Sequence, residues 1–454
     1  MKIESWSTPE KPLPAPGARW FRIRQTLKAA GKRWLDLFKT NHCPTLLPWF
    51  RFPDSSGDMN QIHRIAMEFE WKQSITPLQM AKRIFATIAW PLFAILHSVV
   101  KVSVHGPTVK EQYGISVGMQ LRDLIRLSNR CNIAPSSFYK FRLFLSENQS
   151  KALLYVQSHE IFRLMTGLNQ GLDVGLFDDK QRFYEHCLKH QIRTTPVIAA
   201  FRGGAVACWY EGVEGVLPEE DLFFKPVDLY CGIGIERWNY TSGSQTWRFG
   251  KKDFDTPSFL AYCRQRSLDR AYIVQSRIRG SEFSSRLAVN GICTVRVVTA
   301  RCGEEEPILL IASLRMPTGT AYVDNFAAGG IAAPVNLCDG KVSGPAVGKN
   351  VKLGIWRSHP DTRHPIEGVS VPAWEQTADL CVGAHRTIPR VAFIGWDVAL
   401  SAEGPVLLEA NPNWCVDLVQ MPGCRPLGET VFARYYLHQY RPSLTVPSTG
   451  MMNI

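Results

Sequence analysis

Three oxygen-bearing side chains, Asp397, Glu409 and Asn411, have the types and spacing of a metal site. Apolar and β-branched residues predict two strands around them, at residues 393–400 and 405–409, joined by a turn. The three side chains could then converge on one face of a hairpin. A small set of hard oxygen donors suits Mg²⁺, since coordination positions remain for phosphate and water. A buried strand pair with a turn-capping carboxylate is the alternative that this stretch leaves open.

Two lysines upstream, Lys180 and Lys225, have the surroundings of phosphate ligands. Lys180 is predicted in the first turn of a helix that begins with acidic residues, which suits the helix dipole. Lys225 ends an apolar strand and precedes a loop that carries Gly232 and Gly234. Glycines let backbone N–H groups approach phosphate closely, and the lysine adds a positive charge to the same oxygens. Taken singly, such a lysine is more often solvated.

Two arginines, Arg296 and Arg315, interrupt the otherwise apolar predicted strands TVRVVTARC and ILLIASLRM. An arginine in an apolar strand is costly unless it is paired or bound to a ligand. Gln275 and Ser276 follow another short apolar strand, and Asn325 precedes a flexible Gly-Gly pair. The chain thus presents, in order, two lysines with a glycine loop, two strand arginines, an asparagine, and the Asp with its Glu-x-Asn group.

This order and spacing resemble those of the ATP-grasp superfamily over residues 175–430. The runs TVRVVT, VDNFAAGG, FIGWDV and LLEAN are similar to those of the sugar-transfer-associated ATP-grasp family in particular. The resemblance implies an α+β protein with the ATP-grasp fold, in which two α+β subdomains clamp ATP, preceded by a mainly helical N-terminal region. We therefore expect a basic helical region at 1–110, a helical scaffold at 111–175, a catalytic domain at 176–435 and a tail at 436–454.

The resemblance also implies roles for single residues. The lysines would contact the α- and β-phosphates, and the glycine loop would close over them. Gln275, with the backbone around residues 274–276, would meet adenine, and a glutamate would occupy the position of a ribose-binding acid. These cofactor-binding residues are Lys180, Lys225, Gly232, Gly234, Gln275, Ser276 and Glu282. The implied ligands of Mg²⁺, with Mn²⁺ as the alternative ion, are Asp397, Glu409 and Asn411. The residues implied to steady the γ-phosphate and the acyl phosphate are Arg296, Arg315 and Asn325.

The reaction implied by the resemblance is an ADP-forming ligation, in which a carboxylate is activated as an acyl phosphate and joined to an amine or a hydroxyl. Magnesium and arginines would offset the repulsion between the two anions that react. Family likeness indicates polysaccharide or other glycoconjugate biosynthesis, with small-molecule or glycan-linked substrates. Residues 412–414, Pro-Asn-Trp, stand where peptide-forming relatives often carry Ser-Pro-Gly, so the acceptor is left open. A kinase-type phosphotransferase and a catalytically degenerate nucleotide-binding module are the alternatives.

The net charge of +12 is concentrated at the N-terminal end, where residues 1–51 hold ten Lys and Arg against three acids. Residues 19–39 have the pattern of a basic amphipathic helix, and residues 84–100 form an uncharged apolar run. Both segments suit peripheral association with an anionic membrane, and helices packed on the protein are the alternative. Nucleic acid is not expected as a partner, since no motif for it accompanies the basic residues.

Composition and cysteine usage bound the class of protein and its compartment. An apolar fraction of 45% excludes a disordered chain and supplies a sizeable core. The twelve cysteines show no CxxC pair or regular spacing, which indicates reduced thiols rather than a disulfide framework. The N-terminal residues do not read as a signal peptide, because acids and prolines stand where an apolar core would be. We expect a cytoplasmic protein, and the sequence leaves open whether it associates peripherally with the inner face of the membrane.

Overall fold

The computed structural model describes residues 57–72, 76–229, 232–322, 324–350 and 354–445. The predicted amphipathic helix at residues 19–39 lies outside these ranges, so it stays a prediction.

Helices occupy the described chain before the first strand. Local signals explain where some of them begin: Ser116 accepts a hydrogen bond from the Met119 N–H (3.2 Å) as an N-cap, and Pro135 occupies a first-turn position. The helices are α1 (Asp58–Lys72), α2 (Pro77–Ile88), α3 (Trp90–Tyr113), α4 (Val117–Arg130), α5 (Pro135–Lys140), α6 (Ser146–Gln149), α7 (Ser158–Leu168) and α8 (Gly175–Asp178).

Helix α9 (Lys180–Lys189) leads into the first of two sheets. The strands of this sheet are β1 (Val197–Arg202), β2 (Ala205–Trp209), β3 (Leu222–Pro226), β4 (Glu236–Thr241), β5 (Thr246–Phe249), β6 (Lys252–Phe254) and, after helix α10 (Thr256–Arg266), β7 (Tyr272–Ser276). They are antiparallel in the order β2-β1-β7-β3-β4-β5-β6. Buried aromatic rings centred on Trp238 pack one face against α10, and Tyr184 of α9 packs on the other.

The second sheet follows the short helix α11 (Glu282–Arg286). Its elements are β8 (Thr294–Ala300), β9 (Ile308–Met316), β10 (Ile331–Val335), β11 (Ala346–Gly348), β12 (Ile355–Trp356), helix α12 (Trp374–Arg386), β13 (Phe393–Ser401) and β14 (Gly404–Asn411). The strand order is β12-β11-β10-β9-β8-β13-β14, with antiparallel neighbours throughout. Two helices close the described chain, α13 (Asp417–Gln420) and α14 (Phe432–Thr445).

Helices cover both faces of the second sheet. Helix α12 packs on one face, around Cys381 and Trp396. The other face packs against α1, α7 and α14, where Phe393 contacts Phe432 with ring centroids 5.0 Å apart. Every residue of β8 and β13 is consequently buried, which explains why these strands read as almost continuous apolar runs in the sequence.

The predicted hairpin at residues 393–409 is confirmed, with β13 and β14 paired in antiparallel register. The second strand continues beyond its predicted end, so Glu409 and Asn411 both lie within β14. Asp397 is the direct register partner of Glu409 on one side and of Arg296 in β8 on the other. The pairing of three strands therefore sets these charged side chains next to one another.

Two predicted boundaries differ from the observed elements. The apolar run at residues 84–100 is divided between α2 and α3, which meet at Ala89. Pro91 lies in the first turn of α3, a position where proline favours the start of a helix. The predicted start of the tail at residue 436 falls inside α14, whose Tyr436 is buried against the second sheet. The ten described cysteines are all free thiols.

Candidate active site

A cavity of about 610 Å³ lies between the two sheets. Strands of both sheets, helix α9 and the segment after β14 contribute to its wall. All but three of the predicted site residues line it, even though they are spread over more than 200 positions of the chain. Those that line it are Lys180, Lys225, Gly232, Gln275, Arg296, Arg315, Asn325, Asp397, Glu409 and Asn411.

An ion-pair network crosses the second sheet at the cavity wall. Arg296 Nε donates to one oxygen of Asp397, and Arg315 Nη1 donates to the other at 2.7 Å. Arg315 Nη2 lies 2.9 Å from an oxygen of Asp324. The second oxygen of Asp324 accepts hydrogen bonds from the Thr294 hydroxyl and from its N–H (3.1 Å). The network holds both guanidinium groups in fixed positions, which a buried charge requires.

The pKa values of the two facing carboxylates are shifted in opposite directions. Burial alone would raise the pKa of Asp397, but the guanidinium groups of Arg296 and Arg315 hold it well below its usual range. Burial raises the pKa of Glu409, and the neighbouring charge of Asp397 raises it further. The arginines thus favour the ionised form of Asp397, whereas burial and the charge of Asp397 disfavour ionisation of Glu409.

Two lysines stand on the opposite side of the cavity, at the first sheet. Lys180, the first residue of α9, donates from Nζ to the Leu229 carbonyl (2.5 Å), and Asp179 caps the helix before it. Lys225 lies in β3 with its ammonium 5.0 Å from the Phe223 ring centroid. Burial, together with the charge of Lys180, lowers the pKa of Lys225 to about 8, against the opposing effect of Glu409. Both ammonium groups therefore favour an anionic ligand.

The loop before β10 brings Asn325 to the cavity. The Asn325 side chain accepts a hydrogen bond from the Ala327 N–H (2.9 Å) and starts a short 3₁₀ turn. Gly330 ends the loop, and a Cβ atom there would lie 2.7 Å from the Asp324 carbonyl oxygen. Only glycine fits this close approach. The Gly-Gly pair therefore serves to fold the loop back under Asp324.

Three of the predicted residues are not brought to the cavity. Ser276 follows Gln275 in β7, and successive side chains of a strand point to opposite faces, so its side chain does not share the cavity face of Gln275. The predicted contact of its backbone with adenine stays a prediction. Gly234 packs on Pro226, whose Cγ would lie 3.0 Å from an added Cβ. Glu282 lies in the first turn of α11, where it pairs with Arg286 and is 79% exposed.

The structure also brings residues to the cavity that the sequence reading did not select. Asp324 adds a carboxylate to the arginine network, and Lys349 adds a third lysine in the loop after β11. Two buried strand arginines need more carboxylate oxygens than Asp397 provides, so the acid beside Asn325 could have been inferred. Lys349 sits in a loop with no local signal, and only the tertiary fold brings it to the cavity.

Three buried donors at the cavity have no hydrogen-bond partner within the described ranges. They are the Thr195 hydroxyl, Arg315 Nε and Trp414 Nε1. A buried donor without an acceptor costs free energy, and a bound ligand that supplies oxygen atoms removes that cost. The unsatisfied donors and the lysines together suit a ligand rich in phosphate and carboxylate oxygens.

The donor set at β13 and β14 fits magnesium in chemical type. It consists of two carboxylates and one amide, and Asn411 Nδ2 donates to Glu409 at 3.3 Å. Both oxygens of Asp397 already accept hydrogen bonds from arginine, so Glu409 and Asn411 are the residues with capacity for an ion. No group of three or more His, Cys, Asp and Glu side chains is arranged to hold a metal ion in the part of the chain that the structure describes. The assignment of the three ligands stays a prediction.

The segment after β14 forms the end wall of the cavity. Its residues Pro412, Asn413, Trp414 and Cys415 all line the space. Trp414 is buried against β13, where a Cβ at Gly395 would lie only 2.5 Å from the Trp414 Cβ. The wall is thus built around a large indole, in agreement with the departure that the sequence shows at this point.

A family model provides the identification. The model described as sugar-transfer associated ATP-grasp matches residues 161–432, which is more than half of the chain and includes every residue of the cavity wall. The chain belongs to this family. Membership, together with two antiparallel sheets flanked by helices, confirms the predicted ATP-grasp fold. The match begins within α7, so part of the predicted scaffold belongs to the family region.

Comparison with solved structures gives partial overlaps at low sequence identity. An ATP-grasp superfamily protein from Archaeoglobus fulgidus is 12% identical, over 54% of this chain and 48% of that one, with a TM-score of 0.27. A D-alanine-D-alanine ligase from Helicobacter pylori is 8% identical, over 61% of this chain and 60% of that one, with a TM-score of 0.31. The D-alanine-D-alanine ligase from Coxiella burnetii is 12% identical, over 64% of this chain and 68% of that one, with a TM-score of 0.33. The chain thus spans about half the length of the first of these structures. No curated protein matches the sequence.

Proposed function

We propose that this ATP-grasp protein is an ADP-forming ligase that uses ATP and Mg²⁺ to join a carboxylate to an amine or a hydroxyl. The observation that carries the proposal is the distribution of charge in the cavity. Two lysines lie at the first sheet, and the second sheet carries the arginine network together with Glu409, a carboxylate that pairs with no arginine there. Lysines suit the phosphates of a nucleotide, and Glu409 with Asn411 suits the ion that accompanies them. The substrates we propose are small-molecule or glycan-linked acids and acceptors of polysaccharide or related biosynthesis.

The reaction would proceed in two displacement steps. A carboxylate oxygen of the donor attacks the γ-phosphorus of ATP, and the bond from that phosphorus to the β,γ-bridging oxygen breaks. ADP departs with the bonding electrons, and the donor is now an acyl phosphate. The acceptor nitrogen or oxygen then attacks the acyl carbon, and the bond from that carbon to the phosphate oxygen breaks. Inorganic phosphate leaves with the bonding electrons, and the acceptor loses its proton to phosphate or solvent. Bound magnesium would offset phosphate charge during the first step. An acyl phosphate is open to hydrolysis, which requires a cavity that excludes water.

The chain's own residues would act by holding charge in place. Lys180 and Lys225 are suited to hold the phosphate oxygens, because an anion restores the charged state that burial disfavours in both. Arg315 offers its Nε to a transferring or attacking oxygen, while Asp324 and Asp397 fix its other two nitrogens. Such fixed donors stabilise developing charge without reorganisation during the reaction.

The experiment is a product analysis of the purified full chain with ATP, Mg²⁺ and pools of candidate acids and amines. ADP and inorganic phosphate are both quantified, with Glu409→Gln as the control. Substrate-dependent release of both products, absent from the control, would support the ligase and allow each pool to be divided until donor and acceptor are known.

Other products would decide between the alternatives. ADP without free phosphate would favour a kinase-type phosphotransferase, since the phosphoryl group would remain on the acceptor. If neither product forms, calorimetric titration with ATP distinguishes a missing substrate, where ATP binds, from a degenerate module, where it does not.

A further inference from the structure

Helices α2 and α3 carry an apolar surface on the outside of the helical region. Six large side chains on it are between 49% and 71% exposed. We call this surface the α2–α3 ridge, and its residues are Phe85, Ile88, Leu92, Leu96, Val99 and Val100. Single exposed apolar residues are normal on a protein, but a contiguous patch on two consecutive helices marks an interaction site.

The opposite face of α3 is occupied by the protein itself. Trp90, Ala94, Ser98, Val102, Gly106 and Val109 are buried at intervals of three or four residues. The Trp90 Nε1–H donates to the Ser128 carbonyl (3.4 Å), and Gln120 Nε2 donates to the Gly106 carbonyl (3.1 Å). Helix α3 is therefore fixed along most of its length against the antiparallel α4, and its ridge side cannot turn inwards.

The net charge of the two helices indicates the chemistry of the ridge's partner. Helices α2 and α3 carry four basic residues, Lys82, Arg83, Lys101 and Lys110, against one acid, Glu111. A helix pair with an exposed apolar surface and a net positive charge is typical of segments that lie in the headgroup region of anionic bilayers. We infer that the α2–α3 ridge rests on an anionic phospholipid surface. The inference is independent of the reaction proposed for the cavity.

Helix α3 would lie on the bilayer rather than cross it. By length and composition, its 24 residues are enough to span a membrane, and 28% of its most apolar part is buried in the protein. Crossing would carry the packed helix α4 into the hydrocarbon, together with charged residues such as Arg122 and Arg126. The cost of inserting these charges favours an interfacial position, with only the ridge in contact with lipid.

Flotation of the full chain with vesicles tests the inference. The vesicles contain phosphatidylcholine alone or with added phosphatidylglycerol, and the variant Leu92→Glu/Leu96→Glu places two charges on the ridge. The matched control is Val213→Glu/Val216→Glu, which alters two valines that are 70% and 60% exposed on the loop between β2 and β3. We expect the wild type and the control to float with anionic vesicles, and the ridge variant to lose binding about tenfold or more.

The wild type alone provides a second measurement that does not depend on how any variant folds. Binding should weaken as salt rises and should be weaker on neutral vesicles, because charge attraction contributes to it. Three results would overturn the inference: no binding of the wild type to anionic vesicles, equal binding of the ridge variant, or equal binding to neutral and anionic vesicles. Analytical sedimentation tests whether a second copy of the chain covers the ridge instead. If the wild type is a dimer that does not bind lipid, and the ridge variant is a monomer, the ridge is a contact between two copies of the chain.

Discussion

The two sheets present their charges to the cavity in different ways. On the second sheet, Arg315 is held between Asp324 and Asp397 at 2.9 and 2.7 Å, so buried charges of opposite sign offset one another inside the protein. At the first sheet, Lys180 of the adjoining helix α9 contacts main-chain carbonyls, and Lys225 of β3 lies beside an aromatic ring. Burial lowers the pKa of both lysines, whereas the carboxylates of the network raise the pKa of Arg315 against the effect of burial.

This difference separates what the fold requires from what a ligand requires. The ion pairs of the arginine network form without a ligand, and Arg315 Nε is the donor left for one, so the network members stabilise the folded protein and hold their geometry in advance. The lysines are held in the folded state at a cost that an anion would remove. Substitutions in the network should therefore lower stability and activity together, whereas substitutions of the lysines should lower ligand affinity and spare stability.

The largest effect is expected from Asp397→Asn. Removal of this carboxylate charge leaves Arg296 without its ion-pair partner and Arg315 with Asp324 alone. Loss of one partner of a buried pair costs about 3–5 kcal/mol, and activity should fall below detection because both arginines are displaced. Urea unfolding followed by fluorescence measures the change in the free energy of unfolding.

The matched control is Asp253→Asn in the exposed Arg248–Asp253 pair of β5 and β6. Solvent screens this pair, so we expect no resolvable change in unfolding. Equal stability of Asp397→Asn and the wild type would contradict the view that the network is part of the fold.

Glu409→Gln should separate activity from stability. The pKa of Glu409 is raised by burial and by Asp397, so a neutral amide relieves an unfavourable charge and should leave unfolding unchanged or shift it to higher urea. If Glu409 holds the ion, ADP formation should fall roughly 10²-fold or more, as expected when a preorganised charge-stabilising group is removed. Activity assays over a magnesium titration, alongside urea unfolding, test both halves. Loss of stability comparable to that of Asp397→Asn would assign Glu409 to the network instead.

The fold was largely predictable because the strands that build the site carry strong local signals. Strands β8, β9, β13 and β14 read correctly from their apolar runs and their turn residues. Boundaries failed where packing rather than local sequence decides them. Helix α14 continues past residue 435 because Tyr436 fills the core beside the second sheet, a contact with partners hundreds of positions away.

The site was predictable where a charge interrupts an apolar run, as at Arg296, Arg315 and Asp397. Such a charge needs a partner, and the order of the motifs indicates which segments supply it. Glu282 shows the limit of this reasoning, since a position beside a motif does not determine which way a side chain points. Lys349 shows the converse, because its arrival at the cavity depends on the path of a loop.

Lys225→Met should weaken nucleotide binding with little effect on folding. The methionine keeps the bulk of the side chain and removes a charge that burial disfavours, so stability should be equal or higher. Loss of a charge-assisted contact to phosphate costs about 1.5–3 kcal/mol, which corresponds to about 10- to 150-fold in the dissociation constant. Calorimetric titration with ADP and Mg²⁺ measures it. The control is Lys252→Met on the exposed strand β6, which should bind ADP as the wild type does. If Lys225→Met also binds ADP with unchanged affinity, Lys225 is not part of the phosphate site.

The smallest expected effect is a pH dependence from the same ammonium. In the free protein the pKa of Lys225 is about 8, lowered by burial and Lys180 from 10.5. Between pH 8 and pH 10.5 the Lys225 amine is protonated in the unfolded chain but not in the folded protein, so this group makes the folded protein more stable as pH rises through that window.

Nucleotide affinity should change in the opposite sense, because only the charged amine attracts phosphate. The dissociation constant for ADP should therefore rise about tenfold from pH 7 to pH 9, and binding at pH 9 should take up a proton from the buffer. Lys225→Arg keeps the charge over this range and should bind with a flat profile. If the inflection near pH 8 persists in the arginine variant, the titrating group lies elsewhere, and the first sheet does not depend on Lys225 for its charge.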